Sequence, residues 1–288
     1  MECVAAVDDN SETPLLTVKD LNKRYGKGCP ACETPEMLAG DDNRCPHCGS
    51  VWACIHVQFE LYAGEILGVV GESGSGKSSV VKSLYFDEDV HSGVATISAY
   101  KGGKVNIFSE SAQQKRYIRN YLMGMVYQNP LMGLKMSFSS GGNIAEKLIA
   151  SGMYHVGNIR KRAGELLEHV DIPLSRMDER PKNFSGGMQQ RVQISKALAN
   201  NPPILLLDEV TTGLDLSVQA RVLDLIRKIQ REFEVATIVV SHDLGVIRML
   251  ADRTVVMRHG RIVEEGLTDQ ILEDPQRAYT QQLVHSLL

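Results

Sequence analysis

Apolar and polar residues alternate over Pro14–Gly26 (PLLTVKDLNKRYG), which predicts an edge strand. The alternation stops in a Gly-, Pro- and Cys-rich stretch at 27–54 and resumes over Ile55–Gly71 as two strands around a turn at Ala63-Gly64. Within that stretch Ile66–Val70 is apolar on both faces, as a strand buried in a parallel sheet must be. A helix through Val80, Val81 and Leu84 comes next, then a hairpin with Gly102-Gly103 as its turn, then a charged helix over Ser111–Tyr121. From Pro130 to Asn200 the pattern is mostly helical, including Ile159–Val170 and Gln189–Ala199. Alternating strand and helix then return. Ile204–Leu207 and Ala236–Val240 read as buried strands flanking a helix at Ser217–Phe233, where Val218, Val222, Leu225, Ile226 and Ile229 share a face. Arg253–Gly266 reads as a hairpin about His259-Gly260, and Thr268 as the cap of a final helix. The whole predicts an α/β fold whose parallel core is interrupted by a helical subdomain at about 130–200.

The chain has 288 residues, enough for a large core, and 31 basic against 35 acidic residues, net −4. That balance argues against nucleic acid as a general partner. No apolar run approaches the roughly 20 residues that span a bilayer, and MECVAAVDDNSE has no secretory pattern. The expectation is a soluble, cytoplasmic protein without direct membrane insertion, with a flexible N-terminus at 1–11.

Chemistry concentrates in two places downstream of the cysteines. GESGSGKS (Gly71–Ser78) lies between a buried strand and a helix. Gly71, Gly74 and Gly76, interleaved with Ser73 and Ser75, let backbone N–H groups curl around an anion at a helix start. Lys77 supplies positive charge to β/γ-phosphates, Ser78 a hydroxyl to Mg²⁺, and Ser79 extends the loop. ILLLDE closes a second buried strand with Asp208, suited to Mg²⁺, and Glu209, suited to orienting or deprotonating a water. His242 follows the strand Ala236–Val240 at the end where ligands collect, and Gln128 in MVYQNP is placed to sense metal and a partner.

These residues together resemble the ABC-type ATPases over nearly the whole of 12–288, the cysteine stretch excepted. The resemblance implies an ABC nucleotide-binding domain with a RecA-like P-loop core, an antiparallel β subdomain and a helical subdomain. GESGSGKS matches Walker A, Gln128 the Q-loop, SGGMQ (Ser185–Gln189) the signature, ILLLDE Walker B, Gly213-Leu214-Asp215 the D-loop and His242 the switch histidine. It implies that Tyr25 stacks on adenine. It further implies head-to-tail pairing, as a homodimer or with another ABC subunit, in which Ser185, Gly186, Gly187 and Gln189 of one chain close on ATP held by the other. Val210, where the family usually has Pro, and Met188 within the signature depart from the pattern without removing a catalytic group. Tandem cassettes and long coiled-coil insertions, typical of translation and repair members, are missing. The intact Glu209 and His242 argue against a non-hydrolysing regulatory module.

Phe184–Glu209 and Leu214–Ile229 resemble a branch holding peptide-importer ATPases and the ATP-binding subunits of carbon–phosphorus lyase systems. Gly133–Gly152 and Asp171–Gly187 favour the latter, which implies a soluble lyase complex as partner and organophosphonate breakdown as the process served. Under the alternative, an oligopeptide or dipeptide importer motor, a membrane permease takes that place.

Cys29/Cys32 and Cys45/Cys48 form two C-x2-C knuckles separated by twelve residues. In a reducing compartment this spacing reads as a structural zinc ribbon, with an iron–sulfur centre or a redox pair as alternatives. The polar loop MLAGDDN between them cannot build a core, so metal would fold it. Cys54 reads as a spectator and Cys3 as a terminal thiol. The insertion follows Tyr25 and should project near the adenine edge, as a docking element or as a self-contained surface loop.

Overall fold

A computed structural model describes residues 13–34, 37, 38 and 40–286; the expected flexible terminus and Cys3 lie outside the described residues. Two sheets form. The smaller is antiparallel, with β1 (Leu16–Tyr25) between β2 (Val51–Leu61) and β4 (Ser92–Ile97). β1 is therefore central, not the edge strand that alternation suggested. Leu16 pairs with Leu61 on one side and with Ile97 on the other, and alternation reports one buried face without reporting how many neighbours a strand has. β2 is already under way at Val51, so the cysteine segment rejoins the sheet before Cys54.

The larger sheet runs β5 (Met123–Val126), β6 (Ile204–Asp208), β7 (Ala236–Val240), β3 (Ile66–Val70), β8 (Arg253–Arg258), β9 (Arg261–Leu267). All pairs are parallel except the β8–β9 hairpin, which turns at His259-Gly260 as expected. Apolar clusters cover both faces. Leu67, Val69, Ile204 and Leu206 point towards the antiparallel sheet and the helix Lys77–Leu84. Ile66, Val70, Leu205 and Leu207 point into the opposite cluster, shared with helices such as Val156–His169, Gly186–Ala197 and Leu216–Phe233. Burial from both sides explains why these strands read as unbroken apolar runs.

Three local expectations fail. The hairpin about Gly102-Gly103 does not form; 3₁₀ turns at Lys101–Gly103 and Ile107–Ser109 replace the returning strand. Asn106 occupies that edge of β4, accepting from Ala95 N at 3.1 Å and donating to Gly93 O at 2.9 Å. Thr268 is the first residue of the helix Thr268–Glu273 and does not cap it; its hydroxyl is buried against that of Thr254 at 2.8 Å. Nor is that helix the last, since Ala278–His285 follows. β5, only four residues long, was too short for its period to be read. Among the described residues no helix is long and apolar enough to cross a membrane.

The parallel strands β3, β6 and β7 end side by side, which brings the loops after Val70, Asp208 and Val240 to one edge. In open α/β sheets this is where ligands bind.

Candidate nucleotide site

The glycine loop leaves β3 and enters the helix Lys77–Leu84. Gly71 and Gly76 sit at φ +148° and +104°, and a Cβ on either would collide with backbone, the carbonyls of Met257 and Ala53 respectively. Only glycine satisfies both constraints. The loop is braced from outside: Gly260 N donates to Ser75 O at 2.9 Å, and Glu72 N donates to the Tyr279 hydroxyl at 3.1 Å. Lys77 is buried, and its Nζ donates to Gly71 O at 2.7 Å and to Glu72 O at 2.8 Å. Burial lowers its pKa, opposed by the nearby charges of Glu209, Asp208 and Glu72.

Ser78 Oγ donates to Asp208 Oδ1 at 2.6 Å, joining the loop to the end of β6. Asp208 is buried, and burial pushes its carboxyl above the usual range, against the pull of the Ser78 hydrogen bond and of Lys82. Glu209 adopts φ +46°, its amide donating to Val240 O at 3.0 Å. For a residue with a Cβ that conformation costs of order 1 kcal/mol, and such strain gathers at functional positions. One carboxylate oxygen of Glu209 collects three partners: Gln128 Nε2 at 3.1 Å, Thr212 Oγ1 at 3.2 Å and His242 Nδ1 at 3.3 Å.

A cavity of about 520 Å³ opens above the loop, lined by Tyr25, Val51, Ala53, Ser73, Gly74, Gly76, Lys77, Ser78, Ser79, Gln128 and Glu209. The Tyr25 hydroxyl bonds Ser79 Oγ at 3.0 Å and also Glu88. Burial, then the Glu88 contact, pushes the phenol up to about 12.

The residues expected to act across a dimer do not line this cavity. Ser185 and Gly186 lie exposed where the helix Gly186–Ala197 begins, and the Ser185 side chain makes no capping bond. Gly187 is buried against Val218. Asp215 is exposed at the start of the helix Leu216–Phe233. Gln189 is half-buried, and its amide donates to Pro181 O at 3.0 Å and Phe184 O at 3.1 Å and so shapes the turn before it. Sequence reasoning missed Thr212, Tyr279 and the buried pair Gln190 and Gln193, which bond the backbone at Tyr127 and Gln128. The only signal was the unusual density of glutamine after Met188.

The four cysteine sulfurs of the two knuckles converge. Cys29 Sγ lies 3.8 Å from that of Cys32 and 3.7 Å from that of Cys45, and Cys32 Sγ lies 3.3 Å from that of Cys48. All four fall within 4.8 Å of one another. A tetrahedral thiolate site with metal–sulfur bonds of about 2.3 Å needs sulfurs roughly 3.8 Å apart, so these residues fit a single ion. Cys54 is separate, wholly buried in β2, its thiol pushed up to about 12 by burial.

The sequence model of the ABC transporter family matches residues 54–212, from β2 through the glycine loop to just beyond Glu209. The chain belongs to the ABC transporter family. It has an ABC cassette fold and is an ATPase, working on ATP with Mg²⁺. It is 48% identical to the phosphonates utilization ATP-binding protein PhnK of Escherichia coli (strain K12) over 81% of this chain and 90% of that protein. It is 38% identical to the oligopeptide transport ATP-binding protein OppD of Bacillus subtilis (strain 168), over 83% of this chain and 67% of that one. Among solved structures, the ATP-binding cassette MJ0796, a dimer in a post-hydrolysis state bound to ADP and Pi, superposes with a TM-score of 0.72 at 27% identity, covering 88% of this chain and 98% of that one. The cassette match begins after the cysteine knuckles, which lie outside it.

Proposed function

We propose that this ABC ATPase is the ATP-hydrolysing subunit of a carbon–phosphorus lyase complex, located in the cytoplasm and driving a conformational change during organophosphonate degradation. The observation that carries this is the likeness to PhnK, at 48% identity across 90% of that protein. Oligopeptide transport relatives are 37–38% identical, and the chain spans 67–80% of their length. Gln128 opens the segment that would meet the partner. Leu131, Met132 and Phe138 are exposed there, beside a groove of about 550 Å³ whose lining includes Lys115, Arg116, Arg119, Lys147 and Lys196. The peptide-importer reading keeps the same ATPase and puts a permease in that groove; its support is the presence of OppD and OppF among the relatives.

In this reading Tyr25 stacks on adenine, the backbone of Gly71–Ser79 cradles the phosphates and Lys77 neutralises them. Ser78, Asp208 and Gln128 hold Mg²⁺. Water attacks the γ-phosphorus as its bond to the β–γ bridging oxygen breaks, and Glu209 takes the proton, leaving ADP and phosphate. Thr212, Gln128 and His242 fix the Glu209 carboxylate for that step. Ser185, Gly186, Gly187 and Asp215 of a second cassette close the site, which is the reason they stand away from the cavity of their own chain. Structural zinc on Cys29, Cys32, Cys45 and Cys48 organises the insertion.

The test is co-purification with and without ATP. A soluble lyase core retained by the ATPase supports the proposal; a permease retained in its place overturns it.

A further inference from the structure

The cysteine insertion is fastened to the nucleotide site at two separate points. Inside, Ser50 joins the second knuckle to the segment that follows Tyr25. Its carbonyl accepts from Cys45 N at 2.8 Å, and its hydroxyl accepts from Gly28 N at 3.0 Å and, with Cys48 as a thiolate, donates to Cys48 Sγ at 3.2 Å. Gly26 packs so tightly on Ser50 that an added Cβ would lie 2.5 Å from the hydroxyl oxygen. A cavity of about 570 Å³ runs between these segments, lined by Tyr25–Gly28 and Cys48–Val51, and it shares Tyr25 and Val51 with the nucleotide cavity.

Outside, the loop between the knuckles grips the β8–β9 turn. Arg261 donates to Leu38 O at 2.8 Å, and His259 Nδ1 bonds Asp41 O at 2.7 Å. The same turn supports the phosphate loop, with Gly260 N on Ser75 O at 2.9 Å. Trp52 closes the unit, its indole donating to Cys32 O at 3.0 Å beneath the Arg24 guanidinium. The knuckles and the loop joining them bury few apolar side chains (Cys32 and Cys45 among the described residues), so an ion on the four thiolates is what would hold this shape.

We propose that the insertion is the outer wall of the nucleoside pocket and that its metal occupancy sets the affinity for nucleoside triphosphate. This rests on the nucleotide and metal readings above. Without metal, both anchors loosen together: the Tyr25–Gly28 segment loses Ser50, and Ser75 loses a turn held in place by Arg261 and His259.

The experiment uses the full chain with zinc. Metal content is measured directly, and affinity by calorimetric titration with a non-hydrolysable ATP analogue. Trp52, the single tryptophan, reports opening of the insertion by its fluorescence. Removing zinc with a chelator should weaken binding at least tenfold with a red-shifted Trp52 emission, and adding zinc back should restore both. The Cys29→Ser, Cys45→Ser double variant should match the chelated protein, with far-UV circular dichroism showing an intact cassette. Arg261→Met should keep its metal and still bind several-fold more weakly. Affinity within twofold of the loaded protein, once metal is gone and Trp52 has shifted, overturns the proposal. Metal retained by the double variant overturns it through the metal reading, and failure of the loaded protein to bind the analogue overturns it through the nucleotide reading.

Discussion

Gln193 holds Tyr127 from two directions, accepting from its amide at 2.8 Å and donating to its carbonyl at 3.0 Å. Gln190 accepts from Gln193 at 2.8 Å and donates to the carbonyl of Gln128 at 3.1 Å. The helix that begins at the Ser185 turn is thereby tied to the segment carrying Gln128, whose side chain reaches Glu209. Displacement of the helix must be felt at the carboxylate.

Replacing Gln193 with Leu leaves the Tyr127 backbone groups without these partners. The expected loss is about 1–3 kcal/mol of stability, the cost of unsatisfied buried polar groups, read from the urea midpoint. Turnover should fall while ATP affinity holds, since Gln193 does not line the nucleotide cavity. Equal loss of both would show that the clasp supports binding as well.

Glu209→Gln should bind MgATP and slow phosphate release by about a hundredfold or more, the usual scale of a lost general base. With ATP the variant should elute as a dimer in size-exclusion chromatography. Turnover at the wild-type rate would remove Glu209 from the role given to it.

Asp208 gives a pH-dependent prediction. Its folded pKa is raised chiefly by burial, so between the unfolded value of 3.8 and the raised one the folded chain binds more protons than the unfolded chain. Stability therefore declines as pH rises through that window and stays lowered above it. Asp208→Asn removes the penalty and can keep the bond from Ser78. Its melting temperature should exceed that of the wild type at pH 7, with the difference vanishing below the carboxylate range, while Mg²⁺-dependent hydrolysis is lost. A lower melting temperature at pH 7 would contradict the sign.

Tyr25→Phe should bind ATP nearly as well as the parent, because the ring remains and only the bonds to Ser79 and Glu88 go. Tyr25→Ala should raise Kd roughly 2- to 12-fold, matching about 0.5–1.5 kcal/mol for an aromatic contact. Equal effects from the two changes would mean that the hydroxyl matters and the ring does not.

The parts of the fold most legible in sequence were those fixed by burial on both faces. β3, β6 and β7 each read as an apolar run because clusters press on them from above and below. The central place of β1 was hidden because a strand's own residues carry no count of its neighbours. The absent hairpin turned on Asn106, a side chain satisfying backbone groups that a strand would otherwise meet. At the site, the phosphate loop and the Asp208-Glu209 pair were legible because their groups are contiguous in the chain. The partners of Glu209 were harder, Gln128 lying 81 positions away. Gln190 and Gln193 left only the density of glutamine after Met188 as a signal, since buried glutamines on a helix look like surface ones until their neighbours are known.

Tyr279 steadies the phosphate loop through the Glu72 amide, from 207 positions further along the chain. A polypeptide emerging from the ribosome thus displays Gly71–Ser78 long before it owns this strut. Fragments that stop short of the helix Ala278–His285, whether from stalled synthesis or a proteolytic nick near Pro275, should hold ATP poorly even with every sequence motif intact.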